Sequence, residues 1–173
     1  PERAIEAYRS AFERDSESVI ILDSLESLYH RLERWTDLME LLLHRVELAS
    51  NDEVRRTLLN RVAQVYEREL GDLMGAVETY KAIQGFSEDD VSTMRSLGRL
   101  YEQLEDWDEL LNCLAGELSI LGDDDEQALT LKFRMAQVHE QCLGNDEQAV
   151  LSYGEILQTQ SDHELTLSAL ARM

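Results

Sequence analysis

Proline is nearly absent: the only one is the first residue, Pro1. Glycine is also sparse, at eight residues in 173. These two residues punctuate strands and turns, so their scarcity predicts helices throughout. Val, Ile and Thr never gather into an alternating run, and no strand is expected. Cysteine occurs twice, as Cys113 and Cys142, with no CxxC and no disulfide framework. Both fall at helix-interior positions and read as buried free thiols. No apolar run approaches the length of a membrane span. Bases are few, 16 against 36 acids, for a net charge of −20. Residues 71–173 carry 21 of the acids and only six bases. A phosphate backbone or an anionic bilayer would be repelled, so neither nucleic acid nor membrane insertion is expected. The setting expected for such a chain is soluble and cytoplasmic.

What the sequence has instead is repetition. Tyr29 recurs as Tyr101 and Trp35 as Trp107, at one and the same interval. Ala63, Gly71, Ala76 and Tyr80 recur as Ala136, Gly144, Ala149 and Tyr153, at an interval longer by a single position. Apolar residues follow helical spacing, as in Ile21, Leu22, Leu25, Leu28, Tyr29 and Leu32. Breaks fall at 15–18, 33–35, 50–52, 71–72, 85–88, 105–106, 122–124, 144–145 and 160–161. Gly71 and Gly144 suit a left-handed helix end, with Asp72 and Asn145 following as N-caps. Ser161 with Glu164 reads as a capping box. The breaks give about ten helices of roughly 11–19 residues, and short turns force neighbours to lie antiparallel. One hairpin cannot bury its own apolar stripe, but stacked hairpins can. The expected fold is therefore an all-α solenoid of antiparallel helix pairs. A closed bundle is the alternative, and it would not need matched spacings.

The residues at these spacings resemble tetratricopeptide (TPR) repeats. Ala63 and Tyr66 are followed by Ala76 and Tyr80, and Ala136 and His139 by Ala149 and Tyr153. Leu97, Gly98 and Tyr101 give the first-helix half again, and Ala4 with Tyr8 a lone second helix. The pairs starting near residues 18 and 90 depart from the pattern, with Leu38 and Leu110 where the family has alanine. The resemblance implies a right-handed, TPR-like superhelix in a degenerate double-repeat form. One array would span 1–173: a lone second helix (1–15), a first double repeat (16–87), a second (88–160) and the start of another (161–173). The pattern begins and ends in mid-repeat, as expected of a piece of a longer protein. Apolar faces left at the ends, around Ile5, Tyr8 and Phe12 and around Leu167 and Leu170, would then invite end-to-end self-association.

Few side-chain groupings suggest chemistry. Trp35 and Trp107 each precede an acid-rich helix start and read as a hydrophobic staple pinning the turn. His139 and Cys142 lie three apart, but His139 occupies the packing slot of Tyr29, Tyr66 and Tyr101, so no metal is expected. The run Asp123, Asp124, Asp125 and Glu126 lacks calcium-loop spacing. No nucleophile elbow, phosphate loop or zinc motif is present, and the reading is non-enzymatic, with no cofactor.

In TPR stacks the first helix of each pair lines a groove. Counting back from the aromatic slots places Asn60, Gln64, Arg95, Arg99, Phe133 and Gln137 there. Arg95 and Arg99 share a helix face, and arginines grip carboxylates through paired hydrogen bonds. The implied function is a protein–protein interaction scaffold holding a peptide or helix, with an acidic one suited to Arg95 and Arg99. The competing role for these arginines is to neutralise neighbouring acids. An architectural spacer and a sensor of a small anionic ligand are the alternative functions.

Overall fold

A computed structural model of the chain describes residues 2–88, 90–122 and 127–173. Among them are ten α-helices and no strand: α1 (Glu2–Phe12), α2 (Val19–Arg31), α3 (Trp35–Glu47), α4 (Asp52–Val65), α5 (Leu73–Gln84), α6 (Val91–Gln103), α7 (Trp107–Leu121), α8 (Ala128–Gln137), α9 (Asp146–Thr159) and α10 (Glu164–Arg172). They are somewhat shorter than the spacing predicts, 9–15 residues each. The chain forms two compact units, Pro1–Glu88 and Asp89–Met173. The first holds α1–α5 and the second α6–α10. Within each unit the main packing is between consecutive helices, as expected for hairpins stacked one on the next.

In the first unit the apolar stripes meet in a core of Leu22, Leu25 and Tyr29 from α2, Leu38 and Leu42 from α3, and Val62 from α4. Leu97, Leu100 and Tyr101 of α6 and Leu110 and Leu114 of α7 are buried in the second unit. So are Tyr153 and Ile156 of α9. Ala63, Ala76, Ala136 and Ala149 are all fully buried. A methyl group at each lets neighbouring helices approach closely, which explains why these positions repeat.

Helix starts follow the capping chemistry. The Asn51 side chain accepts a hydrogen bond from the Val54 amide (2.9 Å), Asp72 from Gly75 (2.9 Å) and Asn145 from Gln148 (3.2 Å). Asp90 accepts four: the amides of Ser92 and Thr93 and both their hydroxyls, at 2.6–3.3 Å. Its carboxyl group is partly buried, which alone would push its pKa up, but these four donors hold it below the ordinary aspartate value. The expected box at Ser161 and Glu164 does not form. His163 caps α10 instead, its Nδ1 accepting from the Thr166 amide at 3.3 Å.

Four helix ends share one device. Gly71 (φ 65°) and Gly144 (φ 61°) are left-handed, as their spacing predicts, but so are Glu33 (φ 55°) and Glu105 (φ 57°). Beyond each left-handed residue, an amide turns back to the carbonyl of the repeated aromatic slot. The bonds are Arg34 to Tyr29, Asp106 to Tyr101, Asp72 to Tyr66 and Asn145 to His139, at 2.8–2.9 Å. The two glycine ends have one more residue to accommodate. They do so with a π-helical turn, Tyr66–Leu70 after α4 and Val138–Cys142 after α8. Trp35 and Trp107 open α3 and α7 just beyond the glutamate ends, and both are half-buried. Trp35 packs on the first unit's core and stands edge-on to His30, with ring centroids 5.5 Å apart. Both tryptophans stand at the first helical position, not at the residue before the cap, and Trp35 packs on the core from there.

Candidate functional site

The second unit carries a cleft of about 530 Å3 between α6 and α8, with α7 as its floor. Met94, Arg95, Gly98, Arg99 and Glu102 line it from α6, and Cys113, Leu114 and Glu117 from α7. Thr130, Leu131 and Arg134 line it from α8, with Gln127 just before that helix. Residues 89–173 contain five basic side chains, Arg95, Arg99, Lys132, Arg134 and Arg172. Three of the five meet in this cleft, against two carboxylates among the described residues, in a chain whose net charge is −20.

The arginines are anchored by ion pairs. Glu117 is only 5% exposed, and Arg95 lies over it, its Nε donating to Glu117 at 2.6 Å. The same guanidinium also donates to Gln127 at 2.8 Å, tying α6 to the start of α8. Arg134 donates to Glu102 across the opening at 2.8 Å. A buried carboxylate without a cation is costly, so Arg95 is first of all the counter-charge of Glu117. Guanidinium groups hold anions and do not trade protons near neutral pH, so this set suits binding.

The first unit holds the matching arrangement with the signs reversed. Asp23 and Arg45 stand one repeat before Arg95 and Glu117, and they too are bonded, at 2.8 Å. A positive α2 or α6 position is thus paired with a negative α3 or α7 position in one unit, and the reverse in the other. A second difference follows one helical turn on. Glu26 of the first unit corresponds to Gly98. Glu26 is clamped between Arg45 (2.5 Å) and Arg61, and Arg61 is the first unit's counterpart of Arg134. The depression on this face of the first unit is lined by Asp23, Glu26, Ser27, His30, Arg31 and Arg61, none of them from α3. Glu26 thus occupies the depression that Gly98 leaves vacant in the second unit, and Leu42, the counterpart of Leu114, lines instead the separate pocket beside Trp35.

Of the six residues placed in a groove by counting, Arg95 and Arg99 line this cleft. Phe133 and Gln137 lie further along α8 and are half-buried. Phe133 packs its ring against Tyr153 and His163, with centroids 5.6 Å from each. Asn60 and Gln64 belong to the first unit. Asn60 donates to the Arg56 carbonyl one turn back (3.0 Å), and Gln64 lines a smaller pocket of about 200 Å3 beside Trp35. Counting missed Glu117, which lies on a second helix, and also Gly98, Arg134 and Gln127, which fall off the steps it took back from the aromatic slots.

The cysteines are less buried than expected. Cys113 is half-buried at the cleft floor and Cys142 is exposed. Partial desolvation and the acids Glu102 and Glu105 push the Cys142 thiol up, so it is a weak nucleophile at neutral pH. No group of His, Cys, Asp and Glu among the described residues is placed to hold a metal ion. The acidic run at 123–126 lies outside the described residues. No helix among the described residues is long and apolar enough to cross a membrane.

Residues 93–128 match the family model of the tetratricopeptide repeat. The match falls on the pair α6–α7, which carries Leu110 in place of alanine. No curated protein matches the chain. Among solved structures, YrrB, a TPR protein with an unusual peptide-binding site, is 18% identical, with 98% of this chain and 83% of YrrB covered and a TM-score of 0.55. The MamA protein is 17% identical over 93% of this chain and 85% of its own, with a TM-score of 0.55. A tetratricopeptide repeat protein from Parabacteroides merdae is 15% identical over 94% of this chain and 61% of its own, again at 0.55. Likeness at such identity is likeness of fold. The described residues, all-helical and built of stacked helix pairs with a tetratricopeptide match at 93–128, have a TPR-like α-solenoid fold.

Proposed function

We propose that this chain is a non-catalytic scaffold that holds an acidic segment of a protein partner in the cleft between α6 and α8. The TPR-like fold is that of a protein–protein interaction scaffold in general. The cleft is the particular feature that supports a binding role here. One observation carries the reading: a strongly acidic unit gathers Arg95, Arg99 and Arg134 around one opening with apolar lining from Met94, Leu114 and Leu131. Such a site offers an acidic side chain paired hydrogen bonds and gives its flanking methylenes somewhere dry to go. YrrB, similar in fold, is a TPR protein with an unusual peptide-binding site, which supports a peptide as the kind of ligand.

The test is selection of displayed random peptides on the whole chain, followed by binding measurements with Arg134→Glu. Arg134 suits reversal because it sits at the rim, paired with the exposed Glu102, whereas reversing Arg95 would set a second carboxylate on Glu117. Selected sequences should be rich in Asp and Glu, and Arg134→Glu should weaken them about tenfold, one charge contact's worth. Peptides without acidic bias, or binding indifferent to Arg134→Glu, would contradict the proposal.

A further inference from the structure

The two units are two solutions of one arrangement, and comparing them shows what the second lacks. In the first unit the Glu26 carboxylate lies between two arginines, Arg45 of α3 and Arg61 of α4, and only 14% of its side chain is exposed. It stands over α3 and ties three helices together. In the second unit the α4 arginine has its counterpart in Arg134, but the carboxylate is gone, because position 98 is glycine. Arg134 instead reaches the rim residue Glu102, with about half of both side chains in solvent. The space over Gly98 opens onto Cys113 and Leu114. A Cβ at position 98 would make ordinary contacts, 3.4 Å to Leu110 Cδ1 and 3.6 Å to Cys113 Cβ. Glycine is thus not demanded by the backbone packing here, and position 98 is itself part of the cleft lining.

We propose that the second unit's cleft takes a glutamate or aspartate side chain of a protein partner in the place that Glu26 fills in the first unit. This rests on the cleft being the partner-binding site, and it names what is bound and where. The first unit supplies its own carboxylate; the second borrows one. The Arg95–Glu117 pair belongs to the same logic. With the sign of the Asp23–Arg45 pair reversed, a cation stands on the α6 side of the space, where the first unit has Asp23. An incoming carboxylate therefore meets Arg95 and Arg134 from two sides, with Arg99 one turn from Arg95, and Glu117 is screened beneath Arg95. Gly98 is the specificity-determining position.

Three peptides test this by fluorescence anisotropy against the full chain. One is an acetylated, amidated decapeptide with two glutamates among alanines and leucines; the second has glutamines in their place; the third keeps the glutamines but has a free C-terminal carboxylate. The glutamate peptide should bind, and the other two should bind about tenfold more weakly, since each lacks the side-chain charge. Gly98→Glu should weaken the glutamate peptide about tenfold by filling the site from within. It should melt no lower than the native chain, because glutamate is also the better helix residue. Gly154→Glu, the same change on α9 away from the cleft with no atom beyond its own helix backbone within 4 Å of the new Cβ, should leave binding unchanged. Conversely, Glu26→Ala should raise the number of peptides bound per chain from one toward two. Full binding to Gly98→Glu, or equal binding of the glutamine peptide, would overturn the inference. If binding stays sensitive to Arg134→Glu while Gly98→Glu has no effect, the cleft reading stands and only this placement fails. If no peptide binds at all, both fail.

Discussion

Glu33 and Glu105 hold left-handed backbones that glycine would take at little cost. An L-residue there gives up about 1 kcal/mol in steric strain. Both glutamates are exposed, so their side chains bring little in return. Glu105→Gly should therefore stabilise the chain by about 1 kcal/mol, read as a higher urea midpoint with an unchanged slope. A lower midpoint would mean that the side chain, not the backbone, decides that turn. The break at 105–106 was legible from the sequence, because the stripe ends there as it does at the matching point of the first repeat. The left-handed conformation was not legible, because its usual marker is glycine and here the residue is glutamate. The opposite error occurred at α10. Ser161 carried the stronger capping signal, yet the helix begins later, and His163, a poor cap by residue type, accepts the Thr166 amide.

At the scale of elements, ion pairs tie helices that are close in space but distant in sequence. In the π-helical turn after α8, Glu140 accepts from Arg172 of α10 at 2.6 Å and from the Tyr153 hydroxyl of α9 at 2.8 Å. Burial alone would push the Glu140 carboxyl up, but Arg172 and Tyr153 together hold it below the ordinary glutamate value of 4.5. A depressed carboxylate adds stability that is present above its unfolded value and lost as pH falls through its folded one. Thermal melts of the native chain should therefore decline below about pH 4.5, and the difference from Glu140→Gln should shrink over the same range. A native-minus-mutant difference independent of pH would contradict this. Tyr153 behaves in the opposite sense. Its burial and the Glu140 charge raise its pKa well above 10, so its contribution holds below pH 10 and fades only above it.

The reversed pair makes a sharper prediction at the same scale. Removing Arg95 leaves the Glu117 carboxylate buried without a counter-charge, and Arg95→Ala should cost about 3 kcal/mol. Arg95→Asp together with Glu117→Arg recreates the Asp23–Arg45 arrangement and should recover most of that loss. The double-mutant cycle in urea measures it. Additive losses in the double mutant would show that the two pairs are not equivalent. Position 45 against 117 differs visibly in the sequence, as does 23 against 95, but the meaning depends on which helix faces which. Helix pairing across a short turn could be inferred, whereas the register at which Arg95 meets Glu117 could not. For the same reason counting along first helices found Arg95 and Arg99 and missed the carboxylate beneath them.

For the molecule as a whole, fold and site are recorded in the sequence in different ways. The repeated alanines and tyrosines, Ala63 and Ala136, Ala76 and Ala149, Tyr29 and Tyr101, and Tyr80 and Tyr153, are buried and specify the stacked hairpins. Binding is argued from positions where the copies differ, chiefly Glu26 against Gly98 and Asp23 against Arg95. The scarcity of bases after residue 88 gives the same signal in composition, because three of the five converge on one opening. A partner attracted by that opening has to approach a chain of net charge −20, so its own acidic segment would be steered by the local field and not by the global one. Binding should weaken with salt, as expected for exposed charge pairs. The measurement that bears most directly on this account is NMR of the arginine Nε–Hε groups, titrated with the blocked glutamate peptide. The account predicts that the signals of Arg95, Arg99 and Arg134 move together and saturate, while Arg45 and Arg61, already clamped on Glu26, stay still. Shifts at Arg45 and Arg61 equal to those at Arg95 and Arg134, or none at all, would contradict it.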